Sequence, residues 1–310
     1  MAPLKKLTMR LPGSTTNLGP GFDTLGLALS VYTTVTFERL PEKRAAGQSL
    51  ITLIGPAAQS LPDNEDNLIF KQFRQNYSGP TDDIALSIET DIPLARGLGS
   101  SSTAILAALW AAQAFSSSAA PDRDQILASA ARLEGHPDNV AACLLGGFIV
   151  SGYRQKGNRA ICQRLPWPEQ WRTLVVVPPY ELSTQEARRV LPRRVNMGQA
   201  VKNLQRTGLL IAAAVNQDED TLREALLDEL HEPYRIHLVP ELQALRRDLA
   251  STPALGCVLS GAGSSSLVIV HERNHAEIKT YLQHWAEKRQ HKPQILDLRV
   301  DTKGLQAQYE

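Results

Sequence analysis

The first candidate for a chemical function is a glycine- and serine-rich segment, Pro93-Leu94-Ala95-Arg96-Gly97-Leu98-Gly99-Ser100-Ser101-Ser102-Thr103. Alternating apolar residues at 84, 86 and 88 predict a strand before it, and the apolar run at 104–115 predicts a buried helix after it. A loop that opens a helix presents free backbone N–H groups and the positive end of the helix dipole, where a phosphate can bind. Its serine hydroxyls could contact phosphate oxygens or magnesium, which prefers oxygen ligands.

The loop alone leaves two interpretations open. It could bind a phosphate, or Gly97 and Gly99 could form a tight turn while the serines cap the helix. It is not a Walker A loop, because no Gly-Lys-[Ser/Thr] follows. Its glycines also lack the G-x-G-x-x-G spacing of a dinucleotide-binding turn.

Two other glycine-rich segments lie far from this loop in the chain. They are Pro12-Gly13-Ser14-Thr15-Thr16-Asn17-Leu18-Gly19-Pro20-Gly21-Phe22-Asp23-Thr24-Leu25-Gly26 and Ser260-Gly261-Ala262-Gly263-Ser264-Ser265. In order and spacing, the three segments together resemble the three motifs of the GHMP kinases, the family of galactokinase, homoserine kinase and mevalonate kinase. The first segment is similar to the homoserine kinase form of its motif, and the resemblance covers nearly the whole chain.

The resemblance implies an α+β fold with two lobes. The N-terminal α/β half, residues 1–160, is expected to resemble ribosomal protein S5, and the C-terminal half, residues 161–310, is expected to be a ferredoxin-like α+β domain. No Ser/Gly-rich linker or run of charge separates the halves, so we expect them to pack closely.

The composition limits the classes of function. Lys and Arg total 33 against 32 for Asp and Glu, so no global field attracts nucleic acid or an anionic membrane. The three cysteines are widely spaced without a C-x-x-C pair, which argues against a disulfide framework or zinc site and fits a reducing cytosol. No apolar run reaches transmembrane length, and no signal-like segment opens the chain. We therefore expect a soluble, cytoplasmic protein with no nucleic-acid or membrane partner.

Asn17, Asp23 and Asn67 each have a structural and a functional interpretation. By residue type alone, Asn17 and Asp23 would hydrogen-bond their own turns. The resemblance instead implies that Asp23 meets the ammonium of an amino-acid substrate and Asn17 its hydroxyl end. Capping of a helix explains Asn67, whereas the resemblance implies a position near the adenine.

A second group of candidates follows the predicted helix at 121–133. Glu134 falls at the C-terminal end of this helix, where the helix dipole disfavours a carboxylate unless a cation compensates. The resemblance implies that Glu134 is the carboxylate that binds magnesium, together with Ser101 or Ser102. A lone His136 is usually a packed or solvated residue, but the resemblance places His136 and Asn139 at the substrate hydroxyl and γ-phosphate. Because Asn139 stands where other branches carry an aspartate base, we predict no dedicated carboxylate base. The neighbouring Asp138 is not expected to take that role.

A third group lies in the second half. Ser183 and Glu186 have the spacing of a capping box, and Arg188 follows on the same predicted helix. Arg188 and Arg235 lie in segments similar to the homoserine kinase branch, and two arginines together can hold a carboxylate in bidentate geometry. The resemblance adds Gly261 of the third motif to this substrate site.

The implied activity is phosphorylation of the hydroxyl of L-homoserine by ATP with Mg²⁺, a step towards threonine. In it the proton would leave through a phosphate oxygen or water. Asn17, His136 and Asn139 are the expected catalytic residues, and a homodimer is expected at the level of the family. Two alternatives stay open: a GHMP kinase for mevalonate or a sugar, and a non-catalytic binding protein of this fold.

The remaining patterns predict the elements around these residues. Loops are expected at 17–23 and 41–47, and a polar hairpin at 151–163. Strands are expected at 4–9, 31–38, 50–54, 173–177, 255–259, 267–271 and 295–300. Helices are expected at 66–75, 197–217, 220–230, 240–249 and 275–289.

Overall fold

The computed structural model describes residues 4–42, 50–117, 119–157 and 159–310, so most of the predicted loop at 41–47 lies outside the described residues. The chain alternates strands and helices, which confirms the α+β class. The elements are β1 (Lys6–Asn17), β2 (Gly21–Arg39), β3 (Ile51–Ile54), α1 (Leu68–Asn76), β4 (Ile84–Thr90), α2 (Ser100–Ser116), α3 (Arg123–Glu134), α4 (Asp138–Leu145), β5 (Phe148–Tyr153), β6 (Ala160–Leu165), β7 (Trp171–Val177), α5 (Thr184–Arg189), α6 (Met197–Asn216), α7 (Glu219–Ala225), α8 (Glu232–Arg235), α9 (Pro240–Leu249), β8 (Gly256–Leu259), β9 (Ser266–His271), α10 (His275–Glu287), β10 (Gln294–Leu298) and β11 (Gln306–Tyr309).

The first lobe is a sheet covered by α1 to α4. Within the described residues its strand order is β11-β1-β2-β4-β3, and β2 also pairs with β5, which pairs with β6. Only β3 and β4 are parallel among these pairs. Helix α2 is buried on nearly every side because it is built of Ala and Leu, and it lies in the core between the sheet and its neighbouring helices. This arrangement fixes the loop that precedes α2.

The second lobe is an antiparallel sheet of strand order β10-β7-β9-β8. One face packs on α9 and α10 through leucines such as Leu242, Leu245 and Leu282. The other face shares a core with α6, α7 and the β1–β2 hairpin, where Leu18, Leu25 and Leu27 meet Val175 and Leu267. The two lobes are therefore joined by a continuous apolar core.

No single position in the described chain separates the residues of the first sheet from those of the second. β6 begins at Ala160, so nearly all of it lies beyond the predicted boundary, yet it belongs to the first sheet. β11 follows the strands of the second sheet in the chain, and it pairs with β1 from Leu7 to Arg10. The division into residues 1–160 and 161–310 stays a prediction. The structure does not describe a helix long and apolar enough to cross a membrane.

Four predicted elements were wrong in extent: the strands at 4–9 and 31–38, the loop at 17–23 and the helix at 220–230. The predicted loop at 17–23 is mostly strand, because β1 runs to Asn17 and β2 starts at Gly21, which leaves a three-residue turn. Positive φ angles at Asn17, Leu18, Gly19 and Asp23 let the backbone turn this sharply. The helix predicted at 220–230 ends at Ala225, since the Asp228 carboxylate accepts hydrogen bonds from the backbone of residues 230–232 and starts α8 instead.

Candidate active site

The glycine loop before α2 is held in a conformation that only glycine supports at two positions. Gly97 and Gly99 have φ angles of 70° and 76°. A Cβ on Gly97 would lie 2.0 Å from the Ser260 carbonyl oxygen, and one on Gly99 would lie 2.2 Å from Ser14 Oγ. Gly99 also offers no side chain to cap α2, so the first N–H groups of that helix remain available to an anion.

The three glycine segments contact one another directly. Ser14 N donates to the Leu98 carbonyl at 3.0 Å, and Ser260 Oγ donates to the Gly97 carbonyl at 2.8 Å. Gly261 N donates to the Thr16 carbonyl at 3.2 Å. Segments far apart in the chain therefore form one wall, at the junction of the two lobes.

A hydroxyl and a carboxylate meet beside this wall. Ser102 Oγ, in the first turn of α2, donates to Glu134 Oε1 at 3.1 Å. Glu134 is the last residue of α3, as expected, where the negative end of the helix dipole disfavours its charge. Ser101 lies on the same wall without a comparable contact to a described residue. The Ser102–Glu134 pair supplies the hard oxygen donors that Mg²⁺ prefers.

The segment after Glu134 is ordered by buried hydrogen bonds. His136 Nδ1 lies 2.6 Å from Asp138 Oδ1, which also accepts from Asn139 N at 2.8 Å. Burial lowers the pKa of His136, but the hydrogen bond and charge of Asp138, with the charges of Asp23 and Glu134, outweigh it and raise the pKa above 6.5. His136 and Asp138 thus form a pair in which Asp138 is committed to its own turn.

Asn139 is fixed by strand β1. Its Oδ1 accepts from Ser14 Oγ at 2.9 Å, and its Nδ2 donates to Thr16 Oγ1 at 3.1 Å. An amide held at both ends has one orientation, so it is preorganised for any group in the cavity beside it.

Asn17 has the structural role that its residue type predicts. Its Oδ1 accepts from Asp23 N at 3.1 Å, and its Nδ2 donates to the Gly261 carbonyl at 2.8 Å. Asp23 behaves differently, because its carboxylate leaves the turn and binds Arg188 with both oxygens, at 2.7 and 3.1 Å. Asn17 therefore links the first and third glycine segments, and Asp23 carries charge into the cavity.

Arg235 is a buried cation that no described carboxylate neutralises directly. It is 2% exposed, and its hydrogen bonds go to the carbonyls of Ala187 and Gly261 and to Nδ1 of His231, all neutral acceptors. The Nε2–H of His231 donates to the Gly19 carbonyl at 2.8 Å, and burial lowers the pKa of that imidazole. Burial and the nearby charge of Arg188 lower the pKa of Arg235 to about 10. This environment favours a bound anion.

Phe22 supports both arginines and is a feature that the sequence analysis missed. Its ring centroid lies 5.5 Å from the guanidinium carbon of Arg188 and 5.2 Å from that of Arg235, and the ring stacks on His231 at 5.0 Å. A cation over an aromatic face is attracted by the ring quadrupole. In the sequence, only the position of Phe22 next to Asp23 could have indicated this role, because nothing in the sequence shows that the two arginines converge on its ring.

Asn67 caps α1, as its residue type predicts. Its Oδ1 accepts from Ile69 N at 3.0 Å and its Nδ2 donates to the Pro62 carbonyl at 2.7 Å. It also lines the cavity, as do the apolar residues Leu61, Ile69 and Ile88. Contact of Asn67 with an adenine stays a prediction.

One cavity of about 340 Å³ brings the candidates together. Of the site residues predicted from sequence, it is lined by all except Pro93, namely Asn17, Asp23, Asn67, Leu94, Ala95, Arg96, Gly97, Leu98, Gly99, Ser100, Ser101, Ser102, Thr103, Glu134, His136, Asn139, Arg188, Arg235 and Gly261. The glycine loop, the oxygen donors and the charged side chains therefore face a single space.

Comparison with known proteins defines the class. The family model of the GHMP kinases N terminal domain matches residues 67–147, and that of the GHMP kinases C terminal domain matches residues 210–287. Both lobes of the fold are represented by these matches, and the chain belongs to the GHMP kinase family.

Homoserine kinases are among the relatives that match over nearly the full length. A homoserine kinase from Nostoc sp. is 36% identical over 98% of this chain and 99% of its own. One from Solibacter usitatus is 39% identical over 96% of both chains. The crystal structure of homoserine kinase from Cytophaga hutchinsonii, at 24% identity, has the same fold over 99% of both chains with a TM-score of 0.81.

The contact of Gly97 with Ser260 can be tested against a matched glycine. Gly55 has a similar φ of 81° with open space around it. Both Gly97→Ala and Gly55→Ala should lose ~1 kcal/mol to backbone strain. Gly97→Ala should lose ~2 kcal/mol more from overpacking, as measured by urea unfolding.

Titration calorimetry with a nonhydrolysable ATP analogue provides the second readout. Gly97→Ala should bind it at least ~10-fold more weakly, a loss of about 1.4 kcal/mol, because the loop must shift. Equal stability and equal nucleotide affinity in the two variants would contradict the close approach of the loops.

Proposed function

We propose that this chain transfers the γ-phosphoryl group of ATP to the side-chain hydroxyl of L-homoserine, giving O-phospho-L-homoserine. The observation that carries the proposal is the presence of Arg188, Arg235 and Asp23 in the same cavity as the phosphate-type loop. A phosphoryl acceptor that is an α-amino acid presents a carboxylate, an ammonium and a hydroxyl. The cavity has a group suited to each.

The environment of Arg235 supports a carboxylate site. An ionised group out of water is unfavourable unless a counter-charge accompanies it. Arg235 hydrogen-bonds only to neutral acceptors among the described residues, and Arg188 stands near it over the same Phe22 ring. A substrate carboxylate between the two guanidinium groups would supply the missing charge.

A group of anionic and polar atoms supports an ammonium site. Ligand atoms of Asp23, His136 and Asp138 lie within 4.8 Å of one another. Asp23 is already bound to a cation, Arg188. A zwitterion would supply a cation to Asp23 and an anion to Arg188, so the ion pair can be exchanged without leaving either charge unpaired.

The acceptor hydroxyl would lie between Asn139 and the loop. The amides at the start of α2 hold phosphate oxygens, and the fixed amide of Asn139 orients the hydroxyl towards them. Phosphoryl transfer depends mainly on such positioning and on neutralising charge. Asn17 acts in this scheme by holding the loop that carries Asp23, and His136 acts through its hydrogen bond with Asp138.

Ser102 and Glu134 would hold Mg²⁺. The pair fits the ion because both donors are oxygens, and Glu134 forms no ion pair with a described residue while lying at the negative end of α3. Bound Mg²⁺ would neutralise charge on the phosphates.

The reaction would proceed without a carboxylate base. Asp138 Oδ1 is occupied by His136 and by the Asn139 backbone, and Asn139 is an amide. The proton of the hydroxyl would pass to a phosphate oxygen or to water.

The alternatives fit the cavity less well. Mevalonate has a carboxylate for the arginines but no ammonium for Asp23, and a neutral sugar has neither group. A protein that only binds a ligand has no need of the Ser102–Glu134 pair. These differences favour an amino-acid kinase.

The carboxylate site predicts an interaction between Arg188 and one part of the substrate. Arg188→Ala should lower kcat/KM for homoserine at least ~10-fold, because a hydrogen bond to a charged group contributes about 1.5–3 kcal/mol. For 3-aminopropan-1-ol, which lacks the carboxylate, the loss should be under ~3-fold, at most about 0.6 kcal/mol. ADP release measures both.

Arg189→Ala is the matched control, since Arg189 is the exposed neighbour on the same helix. It should leave both substrates unchanged. An equal loss on homoserine and 3-aminopropan-1-ol in Arg188→Ala would show that Arg188 does not contact the carboxylate.

Asp138→Asn tests the absence of a base. The Asn carbonyl oxygen can keep the hydrogen bond from Asn139 N, so we expect kcat to fall by less than ~100-fold, the lower end of general-base contributions. A loss of ~10⁴-fold in kcat, with the circular dichroism spectrum and Tm unchanged, would assign Asp138 as the base.

A further inference from the structure

The side chain of Arg96, in the glycine loop, is bound to backbone carbonyls. Its Nε donates to the Pro178 carbonyl at 2.9 Å, its Nη2 to the Pro179 carbonyl at 2.8 Å and its Nη1 to the Leu94 carbonyl at 2.8 Å. All three guanidinium nitrogens are therefore engaged with neutral acceptors. Two of these acceptors directly follow β7, so Arg96 links the glycine loop to the second lobe.

The carbonyls that Arg96 binds in the second lobe lie in the connector between β7 and α5, residues 178–183. Pro178 and Pro179 have no N–H group, so only their carbonyls can form backbone hydrogen bonds. The guanidinium of an arginine presents several donors in one plane and can bind neighbouring carbonyls together, which the compact ammonium of a lysine does less well. The residue type at position 96 therefore matches the acceptors that the connector offers.

Further hydrogen bonds fix the rest of the connector. Leu182 N donates to the Ala95 carbonyl at 3.0 Å, and Ser264 Oγ donates to the Tyr180 carbonyl at 2.7 Å. Ala95 has a φ of 54°, in the left-handed region that a residue other than glycine adopts only where its surroundings hold it. The connector supplies that support, so the glycine loop and the connector hold each other in place.

Helix α5 has few contacts of its own that would fix its position. Of its six residues, Ala187 alone is buried, and a helix this short is not stable by itself. The Ala187 carbonyl accepts from Arg235 Nε at 3.0 Å, and Arg188, near the end of the helix, binds Asp23. Because the connector leads directly into α5, its attachment to the glycine loop sets the distance from that loop to the Arg188 guanidinium.

We propose that Arg96 is a positioning residue, which fixes Arg188 at a set distance from the glycine loop and does not itself bind a phosphate. The inference rests on the proposed function, in which Arg188 holds the carboxylate of homoserine and the loop holds the phosphates of ATP. A substrate fixed at its carboxylate must place its hydroxyl in line with the γ-phosphate, and a misplacement of about 1 Å can cost ~10²-fold in rate.

Arg96→Ala tests this role with two substrates. We expect kcat for homoserine to fall roughly 10-fold while KM changes less than ~3-fold, because the substrate still binds but its hydroxyl is displaced. For 3-aminopropan-1-ol, which has no carboxylate for Arg188 to hold, kcat/KM should fall less than ~3-fold. A nonhydrolysable ATP analogue should bind within ~3-fold of its wild-type affinity in titration calorimetry, because the N–H groups at the start of α2 are unchanged.

Two further variants separate geometry from charge. Arg96→Lys keeps the positive charge but loses the planar set of donors, so its kcat for homoserine should stay within ~3-fold of that of Arg96→Ala. Arg164→Ala is the matched control, because Arg164 also donates to two carbonyls, those of Leu145 and Thr302, but lines a separate cavity. It should leave both substrates unchanged.

A direct contact of Arg96 with ATP would give a different set of results. Recovery of the wild-type kcat in Arg96→Lys would overturn the proposal, because it would show that the charge is what matters. Equal losses on the two substrates in Arg96→Ala would overturn it as well. So would a loss of more than ~10-fold in affinity for the ATP analogue, which corresponds to a lost contact with a phosphate.

The double variant Arg96→Ala/Arg188→Ala tests whether Arg96 acts through Arg188. Residues that act through one another give losses that do not multiply. The double variant should therefore have a kcat/KM for homoserine within ~3-fold of that of Arg188→Ala alone. Losses that multiply would show that the two arginines act independently, and they would overturn the proposal.

Hydrogen exchange of the ligand-free protein tests the attachment without any activity. In Arg96→Ala, amides of residues 182–190 should exchange at least ~10-fold faster than in the wild type, because α5 opens locally once the connector is released. Amides of α2 should keep their wild-type rates, which shows that the fold is intact. Unchanged exchange at 182–190 would overturn the proposal. Faster exchange there, in a protein that phosphorylates no amino acid, would confirm the attachment and reject the proposed function alone.

Discussion

The close approach of three backbone segments is the constraint on which the site depends. Gly97 and Gly99 lie so near Ser260 and Ser14 that neither has room for a Cβ. This contact brings the start of α2, the turn of the β1–β2 hairpin and the β8–β9 turn to one point. The lobes are joined by the apolar core behind these segments, so the cavity in front of them has rigid walls.

That rigidity explains how the charges in the cavity can stay where they are. Arg235 is held by neutral acceptors on three different segments, and Arg188 by the carboxylate of Asp23. Phe22 lies against both guanidinium groups. An arrangement with a buried, incompletely neutralised cation is unfavourable for the protein alone, and it becomes favourable when an anion binds. The proposed homoserine substrate would complete this balance of charge without disturbing the glycine loop.

Local patterns in the sequence were sufficient for the parts of the site that local forces build. The strand before the glycine loop, the buried helix after it, the cap at Asn67 and the place of Glu134 at a helix end all follow from neighbouring residues, and the structure confirms them. The contacts between distant residues could not be read in the same way. The pairing of Asp23 with Arg188 joins positions 165 residues apart, and the role of Phe22 needs both arginines in place. Strand β11 was missed because its four residues have little pattern of their own and are defined by pairing with β1. The sequence predicted a loop longer than the turn at residues 18–20, because glycine and proline are typical of loops. In the structure the strands continue through several of these residues.

The most direct test of the central claim is to identify the product formed from a mixture. The purified chain would be incubated with ATP, Mg²⁺ and equal concentrations of homoserine, serine, threonine, mevalonate and galactose, and the phosphomonoesters would be identified by ³¹P NMR and mass spectrometry. The account predicts that O-phospho-L-homoserine forms far ahead of any other product. Preferential phosphorylation of mevalonate or galactose would keep the family and contradict the assignment of the cavity to an amino acid. No product at all, with ATP still bound, would contradict the enzymatic activity itself.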